Sequence, residues 1–389
     1  MRITDVRIER VERRLDPPFR AAWDPSPRCV SEATLVFVNT DEGITGVGSG
    51  DTMSDFSRYA HLFVGEDPMR MVRHVKVLET LSFHAGRYWP MEVALWDLVG
   101  KICGQPVSNL FGGAADRVLA YASTGALMNP IDRARSALAC RDRGFKAIKL
   151  RVDPWRFEEG VEAVEAVRDA VGDSMDVMVD INQAWRMAGD PTPSIDPAAA
   201  RKIAWRLEGL DVLWLEEPLP LTDVEGLKSL GASGSLRVAG GEMVRTPEEL
   251  LHLLRSDALD VYQPDVVLSI GMMRCRTIAE LALASGRWFT PHTWTDGGIG
   301  ILANLHVTAG VGGGPYIEFP YDPPGWAAEA RDFLLAEPLD IDAEGYLKVP
   351  DRPGLGIELS EDVLEAIAEV DGASGVKAGP RPARSRQVP

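Results

Sequence analysis

Short apolar runs, each closing on a residue able to do chemistry, recur along this chain at near-regular spacing. They cover 146–151, 176–180, 213–218, 236–242, 259–265, 288–292 and 316–318. Their reactive ends fall at 149, 180, 216, 242, 265, 292 and 318, so successive ends are 23 to 36 residues apart. That interval fits one strand, one helix and two short loops, the βα unit of a parallel sheet. With 118–123 as a first strand, the count reaches eight. Eight such units predict a TIM barrel, whose strand C-termini open on one face, where the active site lies. Residues far apart in sequence then converge on one pocket.

At 389 residues the chain is too long for one ordinary compact domain. It suits a barrel of roughly 200–250 residues plus a second domain. A mean hydropathy of −0.07 with 45% hydrophobic residues is that of a soluble globular protein. No run approaches the ~18 apolar residues of a membrane span. The N-terminus, Met1-Arg2-Ile3-Thr4-Asp5, is charged from the start and lacks the apolar stretch of a signal peptide, so the chain reads as cytoplasmic. A net charge of −17 argues against nucleic acid and other polyanions as partners. A small anionic substrate then needs local positive charge. The four cysteines are scattered, with no C-x-x-C pair, and read as free thiols.

Residues 1–117 differ in texture from the rest of the chain. Alternation predicts strands over 3–13 and 32–39, and Thr40-Asp41-Glu42-Gly43 supplies a hairpin turn into another. Gly46, Gly48 and Gly50 superficially match a nucleotide loop, but no clear helix start or βα unit comes after them, which rejects that reading. The stretch 15–28, rich in proline and holding Phe19 and Trp23, reads as a surface loop able to lie over a pocket. The pattern over 68–104 is helical, and 91–101 is apolar around most of its circumference, hence buried. Further helices are signalled at 157–170, at 197–207, after Thr246-Pro247-Glu248-Glu249, and at 361–370. The expected division is an α+β domain over 1–117, a barrel over 118–320, a C-terminal segment over 321–372 and a disordered Gly/Pro/Arg tail over 373–389.

Asp180, Glu216 and Glu242 end three consecutive strands, so a barrel sets three carboxylates side by side on one rim. Each alone reads equally well as a helix N-cap or a surface ion pair. Three in register call for a cation between them, and three hard oxygen donors with room for water and substrate suit Mg²⁺. Lys149 and Arg151, two apart on one strand, point to the same face. Asp265 and His292 end adjacent strands, where a carboxylate can fix the imidazole's tautomer and raise its basicity. His61, His74, His84, His252 and His306 read as structural.

This order and spacing resembles the enolase superfamily, specifically its mandelate racemase subgroup, over nearly the whole chain. The resemblance implies a modified (β/α)₇β TIM barrel. It also implies an α+β capping domain built from the N-terminal region and the C-terminal segment. By motif it places the metal ligands at Asp180 in Val179-Asp180-Ile181-Asn182, Glu216 in Leu215-Glu216-Glu217-Pro218 and Glu242 in Ala239-Gly240-Gly241-Glu242. It puts the Asp/His dyad at Asp265 and His292, and a carboxylate-binding acid at Glu318. A homo-oligomer is a further implication.

Where the subgroup's second strand carries Lys-x-Lys, this chain has Lys149-Leu150-Arg151. Arginine is effectively never deprotonated, so a two-base racemase is weakened unless Lys149 takes that role. Dehydration needs one base and an acid for the departing hydroxide, and His292 can serve as both in a syn elimination. The expected reaction is therefore Mg²⁺-dependent dehydration of a small carboxylate substrate, a sugar acid, to a 2-keto-3-deoxy acid. Lys149 and Arg151 would hold the anion. Racemisation, epimerisation and cycloisomerisation are the alternatives on the same scaffold, and a metal-holding binder without catalysis is another. For substrate contact the expected residues are Asn182, Trp294, Trp23 and Asp51; Trp185 reads as packing.

Overall fold

The computed structural model describes residues 1–50 and 53–374. Asp51 and the tail from 375 lie outside the described residues. The chain opens with three antiparallel strands, β1 (Ile3–Phe19), β2 (Arg28–Thr40) and β3 (Thr45–Gly50), in the order β1-β2-β3. The surface loop expected over 15–28 needs correction. β1 runs on to Phe19, and Leu15, Phe19 and Ala21 are buried against Trp326. That partner is more than 300 residues away in sequence, so local polarity hides the burial; the true loop is confined to 20–27.

Helices α1 (Met71–His84), α2 (Trp89–Cys103) and the short α3 (Val107–Leu110) come next. Every residue of α2 from Trp89 to Leu95 is buried, and the helix lies on β3. A Cβ on Gly46 would stand 2.1 Å from the Ala94 carbonyl, and one on Gly48 2.2 Å from that of Pro90. The alternating glycines thus let a helix approach a strand.

Eight barrel strands succeed them: β4 (Arg117–Ser123), β5 (Ala147–Arg151), β6 (Asp176–Asp180), β7 (Val212–Glu216), β8 (Arg237–Gly240), β9 (Val261–Tyr262), β10 (Trp288–Phe289) and β11 (Ile317–Pro320). Between them run α4 (Pro130–Arg143), α5 (Phe157–Val171), α6 (Pro197–Glu208), α7 (Val224–Gly231), α8 (Pro247–Arg255), α9 (Met272–Ala284) and α10 (Ile299–Val311). The sheet is parallel in the order β10-β9-β8-β7-β6-β5-β4-β11, and an isolated antiparallel bridge joins Phe289 of β10 to Gly314, just ahead of β11. Seven βα units and a last strand make the (β/α)₇β barrel. α5 shows why its helices form: Val161, Val164, Val167 and Val171 are buried along one stripe, with glutamates in the exposed first turn.

Strand alternation builds the floor of the site. Tyr121, Ala147, Met178, Trp214 and Tyr316 pack in one cluster inside the barrel. Each stands two residues before a tip residue, respectively Ser123, Lys149, Asp180, Glu216 and Glu318. The tips therefore face the same interior, one layer higher.

After β11 come α11 (Ala328–Arg331), β12 (Tyr346–Lys348) and α12 (Glu361–Ser374). β12 pairs with β4 of the barrel, whereas the Leu355 N–H donates to Asp97 of α2 at 2.9 Å. The C-terminal segment thus ties both parts together. Asp97 also accepts the Val47 N–H at 2.8 Å, and Glu92 of α2 accepts the Met273 N–H at the start of α9, also at 2.8 Å. Among the described residues no helix is long and apolar enough to cross a membrane.

Candidate active site

The parallel register aligns Arg151, Asp180 and Glu216 across β5, β6 and β7. Glu242 comes after β8 and Gly241, whose φ of +111° turns the chain at the strand's end. Asp180, Glu216 and Glu242 are all buried, and one ligand atom from each lies within 4.8 Å of the others. Oε2 of Glu242 has no hydrogen-bond partner. A buried carboxylate oxygen without a donor is costly, and three hard oxygen donors at this spacing fit a divalent cation of the Mg²⁺ type.

Two cations stand beside the triad. Lys149 Nζ bonds Glu216, lies 2.7 Å from Glu318 and 3.6 Å from Asp180. Arg151 is ion-paired with Asp180, donates to Asn182 Oδ1 at 3.1 Å and rests 4.5 Å from the Trp23 ring. Burial alone would lower the pKa of Lys149, but Glu216 and Glu318 outweigh it and raise that pKa above the usual lysine range. Glu318 shows the converse: burial would raise it, and Lys149, His292 and Arg151 bring it down to about 2. Its oxygens also accept the Ser123 hydroxyl and the Thr293 N–H, both at 2.7 Å.

Nδ1 of His292 lies 2.9 Å from Asp265 Oδ2. A carboxylate only accepts, so Nδ1 carries the hydrogen and Nε2 faces the cavity. Asp265 is itself fixed by the N–H groups of Val267 and Leu268, at 2.6 and 3.1 Å. Burial works to lower the His292 pKa, but Glu242, Glu318 and the Asp265 hydrogen bond overcome it and raise the value to about 10. A cation on Glu242 would cancel part of that pull.

A cavity of about 520 Å³ opens here, lined by Arg151, Asn182, Glu242, His292, Trp294 and Trp23 among others. Asn182, which lines the cavity, adopts a left-handed φ of 45°, and its buried amide nitrogen has no partner. Trp294 donates its indole N–H to Ser123 at 2.9 Å and presents its ring, which stands edge-on to Trp23 with centroids 4.9 Å apart. Of the expected contacts, Asp51 alone lies outside the described residues.

Three residues were missed. Trp185, expected to be packing, lines the cavity and donates its indole N–H to Glu242 Oε1 at 2.7 Å; no sequence pattern marks it. Gln263 donates to Glu216 Oε2 at 2.8 Å. Its position two before Asp265 was a usable signal, because alternation keeps both on one face. Ser123, two after Tyr121 on the first barrel strand, was open to the same argument. Glu217, the second acid of its motif, is buried at φ 48° with neither carboxylate oxygen bonded. Burial, with Glu242, Asp180 and Glu216 nearby, pushes its pKa well up.

Two family models match: the enolase C-terminal domain-like family over residues 132–363, and the mandelate racemase / muconate lactonizing enzyme N-terminal domain over 3–112. D-galactarolactone cycloisomerase from Agrobacterium fabrum is 30% identical, over 94% of this chain and 98% of that one. Arabinonate dehydratase from Saccharolobus solfataricus is 31% identical, over 71% and 70%. In structure the chain is similar to L-talarate dehydratase from Polaromonas sp. JS666 complexed with Mg and L-glucarate. That likeness has a TM-score of 0.79 at 29% identity, over 94% of this chain and 96% of that one.

Proposed function

The chain belongs to the enolase superfamily, in its mandelate racemase subgroup, and on that premise we propose that it dehydrates a sugar acid to a 2-keto-3-deoxy acid. The observation that carries this reading is the state of the two cations on β5. A racemase needs a base on each face of the α-carbon. β5 lies nearly across the ring of strands from β10, which leads to His292. Lys149 on β5 is bound by Glu216 and Glu318, and Arg151 is a guanidinium. Neither is suited to accept a proton, whereas an elimination with one base asks that of neither.

Asp180, Glu216 and Glu242 would hold Mg²⁺, which when bound supplies positive charge against the negative charge developing on the substrate carboxylate. Lys149 and Arg151 orient that carboxylate, and Glu318 holds Lys149 in place. Nε2 of His292 takes the α-proton, while Asp265 keeps the ring turned and stabilises the imidazolium. The same Nε2–H then gives its proton to the hydroxyl leaving C3, so one water is lost and the resulting enol tautomerises to the ketone. Trp23 and Trp294 wall the cavity and limit water.

The relatives at comparable identity include five other sugar-acid activities, among them D-xylonate and D-gluconate dehydratases. The similarity to the cycloisomerase over nearly the full chain supports a second reading. There His292 removes the same proton and a ring oxygen of a lactone departs in place of hydroxide. Incubation with Mg²⁺ and a panel of aldonic and aldaric acids and their lactones, with mass analysis of the products, separates the two. A keto acid lighter by one water is expected; an isomer of unchanged mass would favour the second reading.

A further inference from the structure

The strand tips are one wall of the cavity; its mouth is another charged surface. Glu242 and His292 are buried, whereas Arg28 and Glu32 on the first hairpin are 30% and 39% exposed, and Asp296 on the loop after His292 is half-buried. A substrate whose carboxyl end sits at the tips therefore points its far end towards these residues. The cations there already have acidic partners. Arg28 donates to Asp24 through Nε and, at 3.4 Å, through Nη2. Arg10 is ion-paired with Glu32. Asp296 accepts the Glu32 backbone N–H at 3.0 Å and faces Arg28, which works against the burial that raises its pKa. Arg10 also pairs with Glu12 at 3.3 Å, so four carboxylates, Glu12, Asp24, Glu32 and Asp296, stand against two guanidinium groups. The other cationic side chain among the described lining is Arg151, which Asp180 holds, apart from His292 itself.

We infer that the site takes sugar monoacids, with a neutral polyhydroxyl end at the mouth, and discriminates against diacids. Hydroxyl groups can donate to Asp296 and Glu32, whereas a second carboxylate meets acceptors of its own sign and, among the described lining residues, no guanidinium without a partner. Because the mouth is partly exposed, solvent screens the repulsion. A carboxylate about 6 Å from one uncompensated carboxylate is still disfavoured by roughly tenfold. The inference rests on the sugar-acid reading and deepens it.

The test is equilibrium binding to the Mg²⁺-loaded protein, by calorimetry, of pairs that differ at one end: gluconate and glucarate, galactonate and galactarate, xylonate and xylarate. The monoacid of the preferred pair is expected to bind about tenfold more tightly, with the gap shrinking as salt rises. Asp296→Asn, which keeps a hydrogen-bond acceptor, is expected to narrow the same gap several-fold. A diacid that binds as tightly as its monoacid overturns the inference while leaving the sugar-acid reading intact. So does a gap that responds to neither salt nor Asp296→Asn. Binding of no member of any pair overturns the sugar-acid reading itself.

Discussion

Lys149 Nζ stands 2.7 Å from Glu318 Oε1 and is bonded to Glu216 as well, all three side chains fully buried. An ammonium so placed is a fixed positive charge rather than a base. In the proposed reaction it meets the substrate carboxylate. Lys149→Ala is expected to lower kcat/KM by about 10²–10³. Substrate of the opposite configuration at C2, incubated with the wild type in D₂O, should show no exchange at C2 by NMR. Such exchange would restore Lys149 as a second base.

The Asp265 hydrogen bond sets which nitrogen of His292 is free. Asp265→Asn keeps the shape but lets the side-chain amide donate to Nδ1, placing the proton on the wrong nitrogen. Turnover is expected to fall by about 10³–10⁴, with KM little changed. Steady-state kinetics checks this; a loss of tenfold or less would show that the tautomer is held otherwise.

Trp185 bonds a proposed metal ligand from outside the triad. Trp185→Phe retains the ring and loses the N–H. Outer partners of this kind are worth about 10–100-fold in metal affinity. Titration with Mg²⁺ or Mn²⁺ should show weakening of that order with the fold unchanged by circular dichroism. Unaltered affinity would make Trp185 the packing residue that its sequence context implied.

Glu92 lies outside the site, wholly buried between α2 and the start of α9. Burial raises its pKa to about 7, against the Met273 N–H and Trp96 bonds that lower it. A carboxyl whose folded pKa lies above its unfolded value favours the folded state when protonated. Its contribution is fully present below pH 4.5 and is lost as the pH rises through 7. The span is roughly 3 kcal/mol at most. Glu92→Gln should flatten the dependence of Tm on pH between those values relative to wild type. Parallel Tm curves for the two proteins would contradict it.

Much of the site was legible because the strand tips obey two simple rules. A parallel sheet puts every C-terminal tip on one rim, so Asp180, Glu216 and Glu242 come from run ends alone, and period-two alternation pairs Lys149 with Arg151. Contacts made by loops escaped. Trp185 reaches Glu242 from a loop that Arg186 ties down, donating to the carbonyls of Asn182 and Thr192 at 2.6 and 3.1 Å. The burial of Phe19 depends on Trp326, brought near by the chain's return after β11. Neither has a periodicity to read. The glycines of β3 show the reverse limit: a spacing that matched a nucleotide loop proved to be clearance for α2.

The proposed dehydration turns on one proton passing through one histidine. Proton NMR of the Mg²⁺-loaded protein with the sugar acid it is proposed to dehydrate, in D₂O, tracks that proton. The expected product is a 2-keto-3-deoxy acid carrying deuterium at C3, formed by the wild type and not by His292→Asn. Deuterium at C2 of unconsumed substrate in both proteins, with no elimination, would contradict it.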